Sequence, residues 1–349
     1  MYDFELVSAC LKLLRDSFQL GPDQSVAITY DTESSDAVAE ATAQAAVILG
    51  AKPLLIKIKA PRGNGKAGDP DLPIDALVGA LNGVDAWVEY NYEWLFYSTV
   101  YDRVMEENKK IKYMCLVGMT PEQIINNIGK IDIPTLAELI HKVTDVTEAA
   151  THVKITSHAG SDIEFDNKKG REFGVADGLV EEGIAKMLIG QIGWAPDFDT
   201  INGVIVVDGS ICPDIGIVDA PVKIYCEKGK VVKVEGGSSA QQFDQWLKSF
   251  DDPNMFNVAH LCYGLGPYAK LTGDVCQDER VWGCIEWGFG NIGACLTIPD
   301  IPEGIPAASH ADVICLNSSL WLDGVQVLDE GNIVGPTEDI VALARKLGK

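Results

Sequence analysis

Toward its C-terminus the chain reads Ser309-His310-Ala311-Asp312, set between a loop with Pro302 and Pro306 and an apolar run from Val313 to Leu316. A histidine and a carboxylate at i and i+2 on an extended segment project to the same side. Imidazole plus carboxylate is a usual beginning of a first-row transition-metal site. Only five histidines occur in 349 residues, so one beside an aspartate at a strand edge carries weight. A second, His260, lies inside Val258-Ala259-His260-Leu261-Cys262-Tyr263-Gly264, and Glu286 lies inside Gly283-Cys284-Ile285-Glu286-Trp287-Gly288. A lone His or Glu in an apolar strand costs desolvation energy unless it is paired or bound to a metal. His260, His310 and Asp312 together make a two-histidine, one-carboxylate set. Such a set leaves coordination positions open and suits non-haem Fe(II), while zinc and manganese hydrolases use similar donor atoms. The plainer reading of His310 and Asp312 is a surface pair that merely adjoin.

Other chemistry finds less support. His141, His152 and His158 fall on a helix, at a linker and before a turn, where surface or structural roles are expected. No Gly-x-Ser-x-Gly elbow is present, so a nucleophile triad has no frame. No Gly-x-Gly-x-x-Gly follows a strand of the first half, and the phosphate-loop pattern is absent. The later glycine clusters, Gly264-Leu265-Gly266-Pro267 and Gly288 through Gly290 to Gly293, open no clear helix and read as tight turns where backbones approach.

The elements that must position these residues fall into two halves. Helical spacing over 6–18, 35–49, 74–82, 98–108, 120–128 and 134–149 alternates with strand-like runs over 25–30, 53–58, 86–90 and 111–117. That alternation predicts an α/β N-terminal domain with a mainly parallel sheet. Beyond a linker near 145–152 the period changes, with strands over 203–208, 222–226, 230–234 and 313–322 and helices over 178–189 and 238–250. The expected division is an α/β domain over 1–149 and an α+β, strand-rich metal-binding domain over 150–349.

Composition bounds the partners. A net charge of −23 and a pI near 4.5 argue against nucleic acid and anionic membrane as partners. No long apolar run suggests a membrane span, and the acidic start lacks a signal-peptide layout, so a cytoplasmic protein is expected. Nine cysteines, mostly in apolar runs and with no Cys-x-x-Cys, read as reduced and buried.

Four stretches of the second half, in order, carry a resemblance: Ala159-Gly160-Ser161-Asp162; Ala195-Pro196 through Asn202-Gly203 to Val207-Asp208-Gly209; Ala259 to Pro267; and Ser309 to Asp312. This half resembles the superfamily of aminopeptidase T-like metallopeptidases and the 2,5-dihydroxypyridine dioxygenases built on the same scaffold. In the peptidase branch a two-metal site is implied, but its first Glu aligns with Gln191, its second with His260 and its His with Glu286. Only His310 and Asp312 match unchanged, which argues for one metal in place of two. The dioxygenase branch implies a single Fe(II), and its His plus His-x-Asp ligands match His260, His310 and Asp312. The dioxygenases also carry histidines just upstream of the Gly190 position, where this chain has Ala185-Lys186-Met187-Leu188-Ile189.

The favoured reading is therefore a mononuclear Fe(II) ring-opening dioxygenase acting on a hydroxylated N-heteroaromatic and O2, a step in aromatic degradation. Glu286 is expected as a fourth, outer-sphere or proton-transfer group. Gln191, Trp194, Tyr263, Trp287 and Lys186 are the candidate substrate contacts. The alternative is a hydrolase of amides or lactams using a metal-bound water on Zn or Mn; a non-catalytic binder is the third class. The resemblance implies a homo-oligomer.

Overall fold

The structure, a computed structural model, describes residues 3–292, 296, 298–302 and 304–349; Gly293 and Cys295 lie outside them. The chain forms two compact units, Met1–Ile133 with Gly178–Ile189 and Pro134–Asp177 with Gly190–Lys349. This division differs from a boundary at 149/150, because the last helix of the first half belongs to the second unit and 178–189 returns to the first.

The first unit is built on a parallel sheet. Strands β1 (Ser25–Asp31), β2 (Lys52–Ile58), β3 (Ala86–Glu89), β4 (Lys112–Cys115) and β8 (Ala185–Lys186) run in the order β2-β1-β3-β4-β8, every pairing parallel. β1 and β3 are buried almost throughout, which explains their continuous apolar runs. Helices α1 (Asp3–Lys12), α2 (Asp36–Ile48), α3 (Ile74–Leu81), α4 (Thr99–Glu107) and α5 (Pro121–Ile124) alternate with them. Ser98 caps α4 by accepting from the Tyr101 N–H, and Thr120 with Gln123 forms a capping box on α5.

The helix expected over 178–189 is not formed. Gly178 and Gly183 take φ of 81° and 71°, which interrupt a helix, and the Gly183 N–H donates to the Ile111 carbonyl. What remains is β8, paired with β4, so tertiary pairing overrides the local helical pattern.

The second unit holds two large antiparallel sheets. One contains β5 (His152–Ser157), β6 (Asp162–Asp166), β10 (Asn202–Val207), β13 (Val222–Glu227), β14 (Lys230–Glu235), β18 (Ser318–Leu322), β19 (Val325–Asp329) and β20 (Asn332–Ile333), in the order β14-β13-β10-β6-β5-β18-β19-β20. The other contains β7 (Gly174–Ala176), β9 (Gln191–Trp194), β11 (Ser210–Cys212), β12 (Gly216–Ile217), β15 (Val258–Gly264), β16 (Ile285–Gly290) and β17 (His310–Cys315), in the order β12-β11-β17-β16-β15-β9-β7. The α-helices of this part of the chain are α6 (Ile133–Ala149), α7 (Ser238–Ser249), α8 (Val275–Asp278) and α9 (Glu338–Lys346). The single strand expected over 313–322 is two, β17 and β18, separated by a turn in which Asn317 has φ 45° and the chain crosses between sheets.

Candidate metal centre

The seven-stranded sheet brings the candidate residues together by register. β15 pairs with β16 so that His260 faces Gly288 and Cys262 faces Glu286. β16 pairs with β17 so that Gly288 faces Asp312 and Gly290 faces His310. β9 adds Gln191 opposite Gly264. Opposed residues in antiparallel strands share a face, as do residues two apart along a strand. Gln191, His260, Cys262, Glu286, His310 and Asp312 therefore lie on one face. Glycine fills the positions between them, and at 288 it is required: a Cβ there would stand 2.4 Å from Cε1 and Nδ1 of His260.

Nε2 of His310 lies 2.8 Å from Oδ1 of Asp312, and Nε2 of His260 lies 3.9 Å from the same oxygen. The two imidazole centroids are 5.0 Å apart. Nδ1 of His310 donates to the Asn291 carbonyl over 2.6 Å, leaving Nε2 turned toward the aspartate. On the far side of the His260 ring, Nδ1 lies 3.6 Å from Oε1 of Glu286. Side-chain exposures are 18% for His260, 31% for His310, 17% for Asp312 and 0% for Glu286.

These residues fit a divalent cation. His260, His310 and Asp312 each offer one ligand atom, and these atoms all lie within 4.8 Å of one another. Burial and the neighbouring His310 bring the His260 pKa down to about 4, so its lone pair is free at neutral pH. Burial alone would lower the His310 pKa, but Asp312 outweighs it and holds it above the ordinary histidine range. Burial likewise opposes ionisation of Asp312, and His310 outweighs it, keeping the carboxyl below its usual range. A positive charge is thus favoured between these two side chains, in the position a metal ion would take. Nδ1 of His260 and both oxygens of Glu286 are buried without a hydrogen-bond partner. Cys262 and Asp312 neighbour the Glu286 carboxyl but do not meet hydrogen-bond geometry. Burial, with Asp312 and Glu279 nearby, drives the Glu286 pKa well above its ordinary value.

The remaining candidates are placed differently. Trp194, Tyr263 and Trp287 alternate with the site residues and so point to the opposite face of the sheet, each 1% exposed. Trp194 stacks on Phe173 and its indole N–H donates to Asn167, Tyr263 meets Thr147 through its hydroxyl, and Trp287 packs edge-on against Phe165. The period of two puts these rings in the core and takes them away from the face that carries His260, His310 and Asp312. Lys186 belongs to the first unit, on β8, 3.8 Å from Glu181. Gln191 keeps the site face, and its Nε2 donates to Glu279 over 2.8 Å. The exposed His141, His152 and His158 pair with the buried Asp177 and the exposed Asp166 and Glu330.

Sequence reasoning missed Glu279 and Asn291. Glu279 lies just beyond α8, accepts from Gln191 and Arg280, and is held up to about 7 by burial, with Arg280 opposing and Asp312 reinforcing the rise. Its side chain is 15% exposed. The only sequence signal for it is an acidic residue beside Arg280 before a Gly-containing strand entry. Asn291 acts through its backbone carbonyl, which no residue type reveals.

Comparison with known proteins supplies the family context. A family model described as 2,5-dihydroxypyridine 5,6-dioxygenase matches residues 5–335. A curated 2,5-dihydroxypyridine 5,6-dioxygenase from Pseudomonas putida KT2440 is 28% identical over 155 residues, 41% of this chain and 42% of that protein. The match thus spans about two-fifths of the relative's length. The solved structure of 2,5-dihydroxypyridine dioxygenase from the same organism superposes with a TM-score of 0.76 at 22% identity, covering 96% of this chain and 99% of that one. Wild-type AmpT from Thermus thermophilus superposes with a TM-score of 0.70 at 13% identity, covering 96% and 100%. Both likenesses establish a shared fold.

Proposed function

This chain belongs to the 2,5-dihydroxypyridine 5,6-dioxygenase family, and from that premise we propose that it is a mononuclear non-haem Fe(II) dioxygenase that opens the ring of a dihydroxypyridine-like substrate. The observation that carries the reading is the convergence of Nε2 of His260, Nε2 of His310 and a carboxylate oxygen of Asp312 on one face of the sheet. Gln191, in place of a carboxylate at the next position of that face, favours one ion over two.

Fe(II) in this set would supply open positions at which a hydroxylated ring and O2 meet and exchange electrons. The chain's own residues prepare that encounter. Asn291 fixes the His310 tautomer by accepting its Nδ1 proton. His260 presents a neutral ring. Gln191, tethered to Glu279, offers its carbonyl oxygen, and Glu279 its carboxyl, as hydrogen-bond partners for a ring hydroxyl or N–H. Lys186 remains a proposal read from the sequence. On this reading the α/β domain precedes a metal-binding domain, and the protein is a cytoplasmic homo-oligomer working on a small molecule and O2. No helix among the described residues is long and apolar enough to cross a membrane.

The test is elemental analysis of anaerobically purified protein together with oxygen uptake on a panel of hydroxypyridines. One iron per chain and O2 consumed with substrate are expected. Turnover under strict anaerobiosis would sink the dioxygenase reading in favour of a hydrolase using metal-bound water.

A further inference from the structure

Glu286 is the one candidate whose place in the chemistry the ligand set leaves open. Its side chain is 0% exposed, it stands beside Nδ1 of His260, and Asp312 also neighbours its carboxyl. Both its oxygens are buried without a hydrogen-bond partner, as is Nδ1 of His260. The two unpartnered groups face each other at 3.6 Å. A hydrogen bond between them needs an approach of less than about 1 Å. Gly288, directly across from His260, leaves the room the ring occupies. Its φ is not positive, so space and not backbone conformation calls for glycine there.

We propose that Glu286 is the positioning carboxylate of His260: it accepts the Nδ1 proton and so commits Nε2 to the metal, with Gly288 as the space that seats the ring. The inference rests on the reading of His260, His310 and Asp312 as the holders of a single ion. A metal-bound imidazole commonly gives its other N–H to a carboxylate or carbonyl, which sets tautomer and ring orientation. His310 does this through the Asn291 carbonyl. His260 has no carbonyl partner, and Glu286 takes the equivalent place. One competing arrangement exists among the described residues: His260, Cys262 and Glu286 also converge within 4.8 Å and would use Nδ1 for a second ion. One ring serves either use of Nδ1, but not both.

The experiment is an anaerobic Co(II) titration of the full chain, followed by the visible ligand-field bands, on wild type, Glu286→Met, Glu286→Gln and Gly288→Ala. Thermal unfolding of each metal-free protein is measured alongside. Glu286→Met is expected to weaken Co(II) binding about 10–100-fold and to shift the bands. Glu286→Gln, whose amide oxygen still accepts from Nδ1–H, recovers most of the affinity, and Gly288→Ala loses it by displacing the ring. The metal-free Tm of Glu286→Met does not fall, because an apolar side chain of similar length replaces an unpartnered buried carboxyl. Wild-type affinity and spectrum in Glu286→Met would overturn the proposal. So would two Co(II) per wild-type chain falling to one in Glu286→Met, which would make Glu286 a ligand. A wild-type chain that takes up no Co(II) would overturn the ligand set itself, and with it both readings.

Discussion

Oδ1 of Asp312 lies 2.8 Å from Nε2 of His310, two residues earlier on the same strand, while Nδ1 of that ring is already committed to the Asn291 carbonyl. Both ring nitrogens thus have oxygen partners, and the second contact needs either a proton or a metal ion between nitrogen and carboxylate. A short strand segment and one backbone carbonyl suffice to aim two donor atoms. The third comes from β15, two strands away in the sheet, through the row His260, Gly288, Asp312.

Removing any one of these three donors should empty the site. His260→Ala, His310→Ala and Asp312→Ala are each expected to lower bound metal by more than the roughly 10–100-fold typical of an outer-sphere partner. His141→Ala, His152→Ala and His158→Ala, which remove pairs made by exposed histidines, should leave metal content unchanged. Elemental analysis after anaerobic purification checks this. Equal metal content across all six variants would show that the ion sits elsewhere.

The aromatic residues separate a substrate wall from a core. Trp287 faces away from the ligands and packs on Phe165. Trp287→Phe should destabilise the fold by about 1–3 kcal/mol through lost packing, while metal content and KM stay at wild-type values. Trp194→Phe should behave alike, with the added loss of its hydrogen bond to Asn167. Denaturant unfolding and steady-state kinetics decide it. A raised KM at unchanged stability would return these rings to the substrate.

What can be read in the sequence depends on the range of the interactions. The β–α alternation of 25–117 is local, because buried parallel strands declare themselves as continuous apolar runs such as Val26 to Tyr30. His310 and Asp312 are likewise visible, since their shared face follows from a spacing of two. His260 joins them only through the register of β15, β16 and β17, which no local pattern encodes. Position 178–189 misleads because its strand is made by pairing with β4, more than sixty residues earlier. The residue type of Trp287 suggests a substrate contact, although its place between Glu286 and Gly288 already puts it on the other face. Glu279 lies outside any strand and reaches the site through a side-chain bond to Gln191, so nothing periodic marks it.

The first unit holds a titrating group with a defined pH signature. Glu89, fully buried at the end of β3, accepts from the Tyr113 hydroxyl and the Leu95 N–H, yet burial still lifts its pKa from 4.5 to about 7. The folded state therefore holds this proton more tightly than the unfolded chain does. Its contribution to stability is fully present below pH 4.5 and is lost as pH rises through about 7. The loss is on the order of 3 kcal/mol at most. Glu89→Gln, which cannot ionise, should lack this slope, so the gap between variant and wild type narrows or reverses in the variant's favour toward pH 8. Thermal unfolding across that range measures it, and parallel pH profiles for both proteins would refute it.

Gln191 tests how the site tells substrate from metal. It sits on the ligand face of the sheet, opposite Gly264, yet its Nε2 is engaged with Glu279 and offers nothing to an ion. Gln191→Leu would strip Glu279 of that donor and leave a carboxyl held by Arg280 alone among its described side-chain partners. Metal content should remain at the wild-type level, because no donor of the His260, His310 and Asp312 set is touched. Loss of one hydrogen bond to substrate, together with the loosened Glu279, should raise KM about tenfold, the equivalent of roughly 1.4 kcal/mol. Gln191→Glu makes the complementary case, since it sets two carboxyls side by side at a half-buried position and should raise the apparent pKa of the pair. Metal analysis and saturation kinetics on both variants separate the roles. If Gln191→Leu loses its metal while retaining fold, Gln191 belongs with the ligands; if KM and metal content both stay unchanged, Glu279 and Gln191 form a structural pair that the substrate never meets.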